Sequence, residues 1–192
     1  LDMMRQPLED GEVSISRVRA AMTFPSRFIL VAAQNPCPCG YLGDSRHVCT
    51  CKQRDIENYR RKISGPLMDR IDMQINLARV DFSELKDKQA GESSAVIRER
   101  VVRARQLQQA RLEPWGIHCN AQMGRQEVVK YCQLDAQAQA VMEKYFNILN
   151  LSARSHDRIL KVARTIADLA GCANIQAAHI AEAVTLRANN RS

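Results

Sequence analysis

Residues 35–51 read Asn-Pro-Cys-Pro-Cys-Gly-Tyr-Leu-Gly-Asp-Ser-Arg-His-Val-Cys-Thr-Cys and follow directly on the apolar run Phe28-Ile-Leu-Val-Ala-Ala33. No other stretch constrains the fold as strongly. An uninterrupted apolar run of this length suits a strand in the middle of a parallel sheet. Pro36 and Pro38 stop it and bias Asn35 and Cys37 towards extended backbone. A polar residue just past a buried strand, here Asn35, is where α/β nucleotide proteins place a group that faces the ligand.

Beyond Asn35, the thiols of Cys37, Cys39, Cys49 and Cys51 could supply a closed tetrahedral site for Zn²⁺. Ligand softness and number favour zinc among the metals. The Cys-x-Cys spacing gives a tighter bite than the usual pairs, and His47 stands as a substitute ligand. The alternative is four reduced thiols in an exposed loop. Cys119, Cys132 and Cys172 are scattered and read as ordinary buried or half-buried thiols. Clustered thiols in a chain with seven cysteines point to metal in a reducing compartment rather than to disulfides. No signal peptide stands out, and no apolar run approaches the ~20 residues needed to cross a bilayer. A cytoplasmic protein without a membrane partner is expected.

The net charge of +7 favours a polyanionic partner. Basic residues cluster at Arg60-Arg61-Lys62 and at Arg98, Arg100, Arg103 and Arg105, where the solvated face of a helix is the default. Arg17 and Arg19, on a predicted hairpin, are better placed to touch a nucleic-acid backbone. Arg70 follows Ser64-Gly-Pro66 at a rigid loop end, from which an arginine can reach a phosphate across an interface. Arg154 lies in the first turn of a capped helix with Arg158 one turn later. Cations there oppose the helix dipole slightly and hint at an anionic partner.

Leu1 to Leu8 reads as helix, Asp10-Gly11 as a turn, and Glu12 to Arg17 as a strand returning near Ala21 to Phe24. Gln53 to Ile63 reads as a basic helix, Leu67 to Arg70 as one helical turn, and Met73 to Leu77 as a short strand. Asp87 to Ser94 is polar and aperiodic and marks a boundary. The remainder is helical: Ser94–Leu112, Arg125–Tyr131, Asp135–Leu149 with Asp135 as N-cap, a helix capped by Ser152 and stopped by Gly171, and about Ala177–Arg187. The expected class is mainly α with a residual α/β part, residues 1–91, followed by a helical domain, residues 92–192.

Some motifs are missing. The sequence contains no Gly-Lys-Ser/Thr, hence no phosphate-cradling Walker A loop, and no apolar strand ending in Asp-Glu, the Walker B pair. No Ser/His/Asp or Cys/His catalytic grouping stands out.

Four segments together resemble one family: Leu1 to Arg17, Phe28 to Asp44, Ser64 to Asp72 and Ser152 to Leu169. It is the magnesium-chelatase-like AAA+ ATPases, which include the bacterial competence proteins of the ComM and YifB type. The resemblance runs almost from end to end, and Asn-Pro-Cys-Pro-Cys-Gly-Tyr is its most specific part. It implies the C-terminal half of an AAA+ module followed by a helical lid bundle, beginning just after the Walker B strand. It further implies that Asn35 is sensor 1, Arg70 the arginine finger acting on ATP of a neighbouring subunit, and Arg154 sensor 2, with Arg158 as fallback. The implied activity is ATP- and Mg²⁺-dependent work on DNA, such as branch migration in natural transformation, by a homo-oligomer of hexameric type in the bacterial cytoplasm. Without its Walker motifs the chain alone is expected neither to bind ATP tightly nor to hydrolyse it. Two other readings remain: a stand-alone zinc-containing nucleic-acid-binding module, and a magnesium chelatase subunit.

Overall fold

The computed structural model describes residues 2–17, 20–77 and 91–188. Contacts divide the chain into two units, Leu1–Ile71 and Asp72–Ser192. The second is built mainly from helices, and the one sheet among the described residues has two strands and lies in the first.

The first unit begins with a 3-10 turn, Asp2–Met4, leading into α1 (Arg5–Asp10). The predicted hairpin follows as β1 (Glu12–Arg17) and β2 (Ala20–Pro25), antiparallel, with Val13 opposite Phe24 and Ile15 opposite Met22. Alternation puts these four on one face of the ribbon, while the hydroxyls of Ser14 and Thr23 meet at 3.1 Å on the other. After the cysteine loop come α2 (Gln53–Arg61), which buries Ile56, and the single turn α3 (Gly65–Met68), which buries Leu67.

Two expected strands do not form. Residues 28–33 form no strand, and Ile29 and Val31 are 90% and 89% exposed. An apolar run becomes a central strand only beside ladder partners, and none of the described residues supplies one. The same holds for residues 73–77, whose Met73, Ile75 and Leu77 point into solvent. That segment instead donates the Gln74 N–H to the carbonyl of Leu186 (2.6 Å), near the end of the last helix. Such a bond satisfies one of the orphan carbonyls at a helix C-terminus.

The second unit holds α4 (Ser94–Leu112), α5 (Arg125–Tyr131), α6 (Ala136–Ile148), α7 (Ala153–Leu169) and α8 (Ala177–Ala188), with short 3-10 turns at Glu113–Trp115 and Asn120–Gln122. Asp135 and Ser152 cap α6 and α7 as expected, accepting from the N–H groups of Ala138 (2.8 Å) and Ser155 (3.2 Å). Ile159, Leu160, Ala163 and Ala167 give α7 its buried stripe, which meets Ile180, Ala183 and Val184 of α8 and Met142 of α6 in one core. Gly171, at φ +70°, closes α7: its N–H reaches the Asp168 carbonyl, and that of Cys172 the Ala167 carbonyl. A parallel bridge between Leu134 and Ile175 ties the entries of α6 and α8 together. Of the polar boundary at Asp87–Ser94, residues 87–90 lie outside the described residues.

Candidate metal centre and nucleotide-facing residues

The loop between Asn35 and α2 is organised by two tight turns. The Gly40 N–H bonds the Cys37 carbonyl (3.0 Å) and the Asp44 N–H the Tyr41 carbonyl (3.1 Å). Gly40 sits at φ +82°, a left-handed conformation that a residue with a Cβ adopts only under strain. Asp44 then accepts the N–H groups of Arg46 (2.8 Å) and His47 (3.1 Å) through Oδ1, turning the chain back towards Cys49. His47 stacks on Tyr41 with ring centroids 4.9 Å apart and belongs to this turn, so it is not among the clustered ligands.

The four sulfurs converge. Cys37 Sγ lies 3.4 Å from Cys39 Sγ and 3.7 Å from Cys49 Sγ, with 3.6 Å between Cys39 and Cys49. All four, Cys51 included, fall within 4.8 Å of one another. A disulfide needs about 2.05 Å, so these thiols are not paired. Zinc–thiolate bonds of ~2.3 Å in a tetrahedron place sulfurs roughly 3.8 Å apart, close to the spacing seen. The donors are soft, one is buried and three are half-buried, as a closed metal site requires. This cluster can hold a metal ion.

Backbone N–H groups also point at the sulfurs: Tyr41 and Thr50 at Cys39, Leu42 and Gly40 at Cys37, Cys51 at Cys49, and Cys39 at Cys51. The Tyr41 N–H, working against desolvation, leads in holding the Cys39 thiol down to about 6. For Cys51 the N–H of Cys39 favours the thiolate, but burial and the bonds with Cys39, Cys37 and Cys49 overcome it and push the thiol up to about 12. Cys37 also moves down, its N–H donors outweighing burial, whereas Cys49 moves up. Four thiolates this close repel; a divalent cation removes the conflict.

The remaining sequence-selected residues fall in both units. Asn35 is exposed at the entry to the cysteine loop, its amide carbon and nitrogen each 3.9 Å from where a Cβ on Gly40 would lie. Arg70 ends a stiff turn: Ser64 Oγ caps α3 through the Leu67 N–H (3.4 Å), and Pro66 fixes its first residues. The Arg70 guanidinium pairs with Glu9 and donates to the Pro66 carbonyl (2.6 Å). In the second unit Arg154 is exposed on the first turn of α7. Arg158 pairs with Asp72 at 2.6 Å. Lys161 is lowered, first by burial and then by the charge of Arg158, with the carboxylates of Asp72 and Asp157 acting against both. Arg17 closes β1, and Arg19 lies outside the described residues.

Comparison with known proteins adds the family. The profile of "Magnesium chelatase, subunit ChlI" matches residues 1–85, and that of "Magnesium chelatase, subunit ChlI C-terminal" matches residues 91–187. The chain belongs to the magnesium-chelatase-like family. Within that family it is 41% identical over 98% of its length to the competence protein ComM of Haemophilus influenzae, and 38% identical over all of it to the uncharacterised protein YifB of Salmonella typhimurium. YifB of Escherichia coli is similar to the same degree, 38%. The chain spans only 36% of ComM and 37% of each YifB protein, little more than a third of these relatives. No helix among the described residues is long and apolar enough to cross a membrane.

One group in this magnesium-chelatase-like chain escaped the sequence reading. Asp168, 4% exposed, accepts from Arg111 (2.7 Å), Asn120 (2.8 Å) and Arg164 (3.1 Å). Arg164, 3% exposed, also donates to the carbonyls of Cys172 (2.6 Å) and Ala173 (2.7 Å) just past α7. Its signal was present: an Arg and an Asp four residues apart on the otherwise apolar stripe of α7. Glu9, the partner of Arg70, carried no such signal, because the pair is 61 residues apart in sequence.

Proposed function

We propose that this chain is the sensor and lid portion of an ATP-driven motor that works on DNA, as in branch migration during natural transformation. The whole protein acts as a homo-oligomeric ring of hexameric type in the bacterial cytoplasm. The name of the ComM relative, a competence protein, supports DNA as the object of the work. The observation that carries the reading is the setting of Arg70. Its guanidinium stands at the end of a capped, proline-stiffened turn and rests on a carboxylate, Glu9, that a phosphate can replace.

In this reading residues 1–91 are the partial AAA+ region and residues 92–192 the lid. Arg70 stabilises the transferring phosphoryl group of ATP bound by a neighbouring subunit, and Asn35 orients the attacking water. Arg154, with Arg158 and Lys161 behind it, answers the nucleotide's charge from the lid. Arg17, at the end of β1, and Arg19 meet the DNA backbone. ATP and Mg²⁺ are held by a phosphate loop of the full-length protein, and the four clustered thiols hold Zn²⁺. The description of the matching family favours a second reading, insertion of a metal into a tetrapyrrole.

The test is ATP hydrolysis by the full-length protein carrying this sequence, with and without branched DNA. Branched DNA is expected to stimulate turnover, and Arg70→Ala to lower kcat on the order of 10³-fold, the lower end for an arginine finger. The chain alone is expected to show no turnover. Full activity of Arg70→Ala would overturn the assigned role, and porphyrin metallation without DNA stimulation would favour the second reading.

A further inference from the structure

We infer that binding of the zinc ion by Cys37, Cys39, Cys49 and Cys51 is what orders the cysteine loop and α2, residues 35–63, whereas the second unit folds without it. This rests on the zinc reading above. The two units differ sharply in what they bury. Among the described residues, the apolar side chains buried in the first unit are Cys37, Ile56 and Leu67. The second unit has a contiguous core with Leu112, Met142, Ile159, Ile180 and Val184 fully buried. Within residues 35–63 only Cys37 and Ile56 are buried, so this stretch has no core of its own, and small units of that kind rely on a metal or disulfides.

The local structures of the first unit are also ones that cannot stand alone. A two-stranded ribbon is marginal in water, and here its apolar face stays half-exposed, with Ile15, Met22 and Phe24 at 49%, 59% and 47%. The nine-residue α2 is too short to be stable unaided. Its N-cap, Lys52, makes no side-chain capping bond, although the Lys52 carbonyl accepts from Asp55 and Ile56. Cys51 precedes that cap directly. A zinc tetrathiolate carries a net charge of −2, so it would set negative charge at the N-terminus of α2, where the helix dipole favours it. The metal would also fix both ends of the loop that delivers Asn35 on one side and α2 on the other.

The sulfur cluster has the spacing of a filled site. Three edges of 3.4, 3.6 and 3.7 Å and six backbone N–H donors converge on a space suited to one soft divalent ion. Metal binding at such a site contributes directly to folding, because the unfolded chain cannot offer it.

The experiment uses the chain purified without chelator. Zinc content and the visible bands of the cobalt-substituted protein report whether a tetrahedral thiolate site is filled. Hydrogen exchange read by mass spectrometry, before and after a strong chelator, reports what the metal folds. The expected result is about one zinc per chain, tetrahedral cobalt bands, and a loss of protection on stripping of at least about tenfold in peptides spanning residues 35–63, with α7 and α8 unchanged. Cys132→Ser should keep the metal, and Cys37→Ser paired with Cys49→Ser should lose it. Absence of zinc together with absence of cobalt bands would overturn the zinc reading itself. Metal that binds and is stripped without any change in protection would leave that reading standing and overturn the coupling to folding. Equal loss of protection in α7 and α8 would overturn the independence of the second unit.

Discussion

Replacing Asp168 with alanine should unfold the second unit more readily than any loss of an exposed charge in the chain. The carboxylate lies between two guanidiniums and an amide. Arg111 approaches to 2.7 Å, Asn120 to 2.8 Å and Arg164 to 3.0 Å, and both Asp168 and Arg164 are only 3% exposed at the side chain. Truncation strands a buried cation, for which about 3–5 kcal/mol is the expected cost. Arg164 keeps its two carbonyl acceptors beyond α7, which argues for the lower half of that range. Arg111→Ala should cost less, since Asp168 then keeps Arg164 and Asn120. The second unit contains the single tryptophan, Trp115, whose indole N–H donates to the Tyr131 hydroxyl (3.1 Å). Its fluorescence in a urea titration therefore reads this unit alone. The prediction is a midpoint shift for Asp168→Ala worth about 3–4 kcal/mol at unchanged slope. Arg164→Met added to Asp168→Ala should recover part of the loss, because the more deeply buried of the two guanidiniums is then no longer stranded, while Arg111 still is. A cost below about 1 kcal/mol, or equal costs for Asp168→Ala and Arg111→Ala, would refute the network as a stabilising unit.

Two further outcomes follow from burial and thiol chemistry. Ile180→Ala, at a fully buried site, should cost about 2–5 kcal/mol in the same titration, whereas Ile29→Ala, 90% exposed, should leave the midpoint unchanged. Stripping the metal opens the cysteine loop and leaves Cys39 an accessible free thiol. Cys132, raised to about 11 by burial, is a protonated thiol at neutral pH. Iodoacetamide with peptide mapping at pH 7.5 on stripped protein should therefore modify Cys39 well before Cys132, and the reverse order would refute the burial of Cys132.

Local signals survived the passage from sequence to structure. The caps at Asp135 and Ser152, the stop at Gly171 and the alternation of β1 act over a turn or a strand, so the residues that make them are neighbours in sequence. The convergence of four cysteines was legible for the same reason, since tight turns at Gly40 and Asp44 bring them together. What failed was whatever needed a distant partner. Phe28 to Ala33 has the composition of a buried strand, but composition does not supply a ladder. The Arg70–Glu9 pair and the Arg111–Asp168 pair join residues 61 and 57 positions apart, beyond the reach of any spacing rule.

The exposed apolar segment at residues 28–33 has a practical meaning for anyone handling the chain. It is six apolar residues without charge or proline, and its most exposed members project almost wholly into water. Open backbone of that kind recruits a like segment from another molecule, and stacking of such segments is how cross-β aggregates begin. A lysine in place of Val31 would act as a gatekeeper, breaking the apolar run at a position where no core is disturbed.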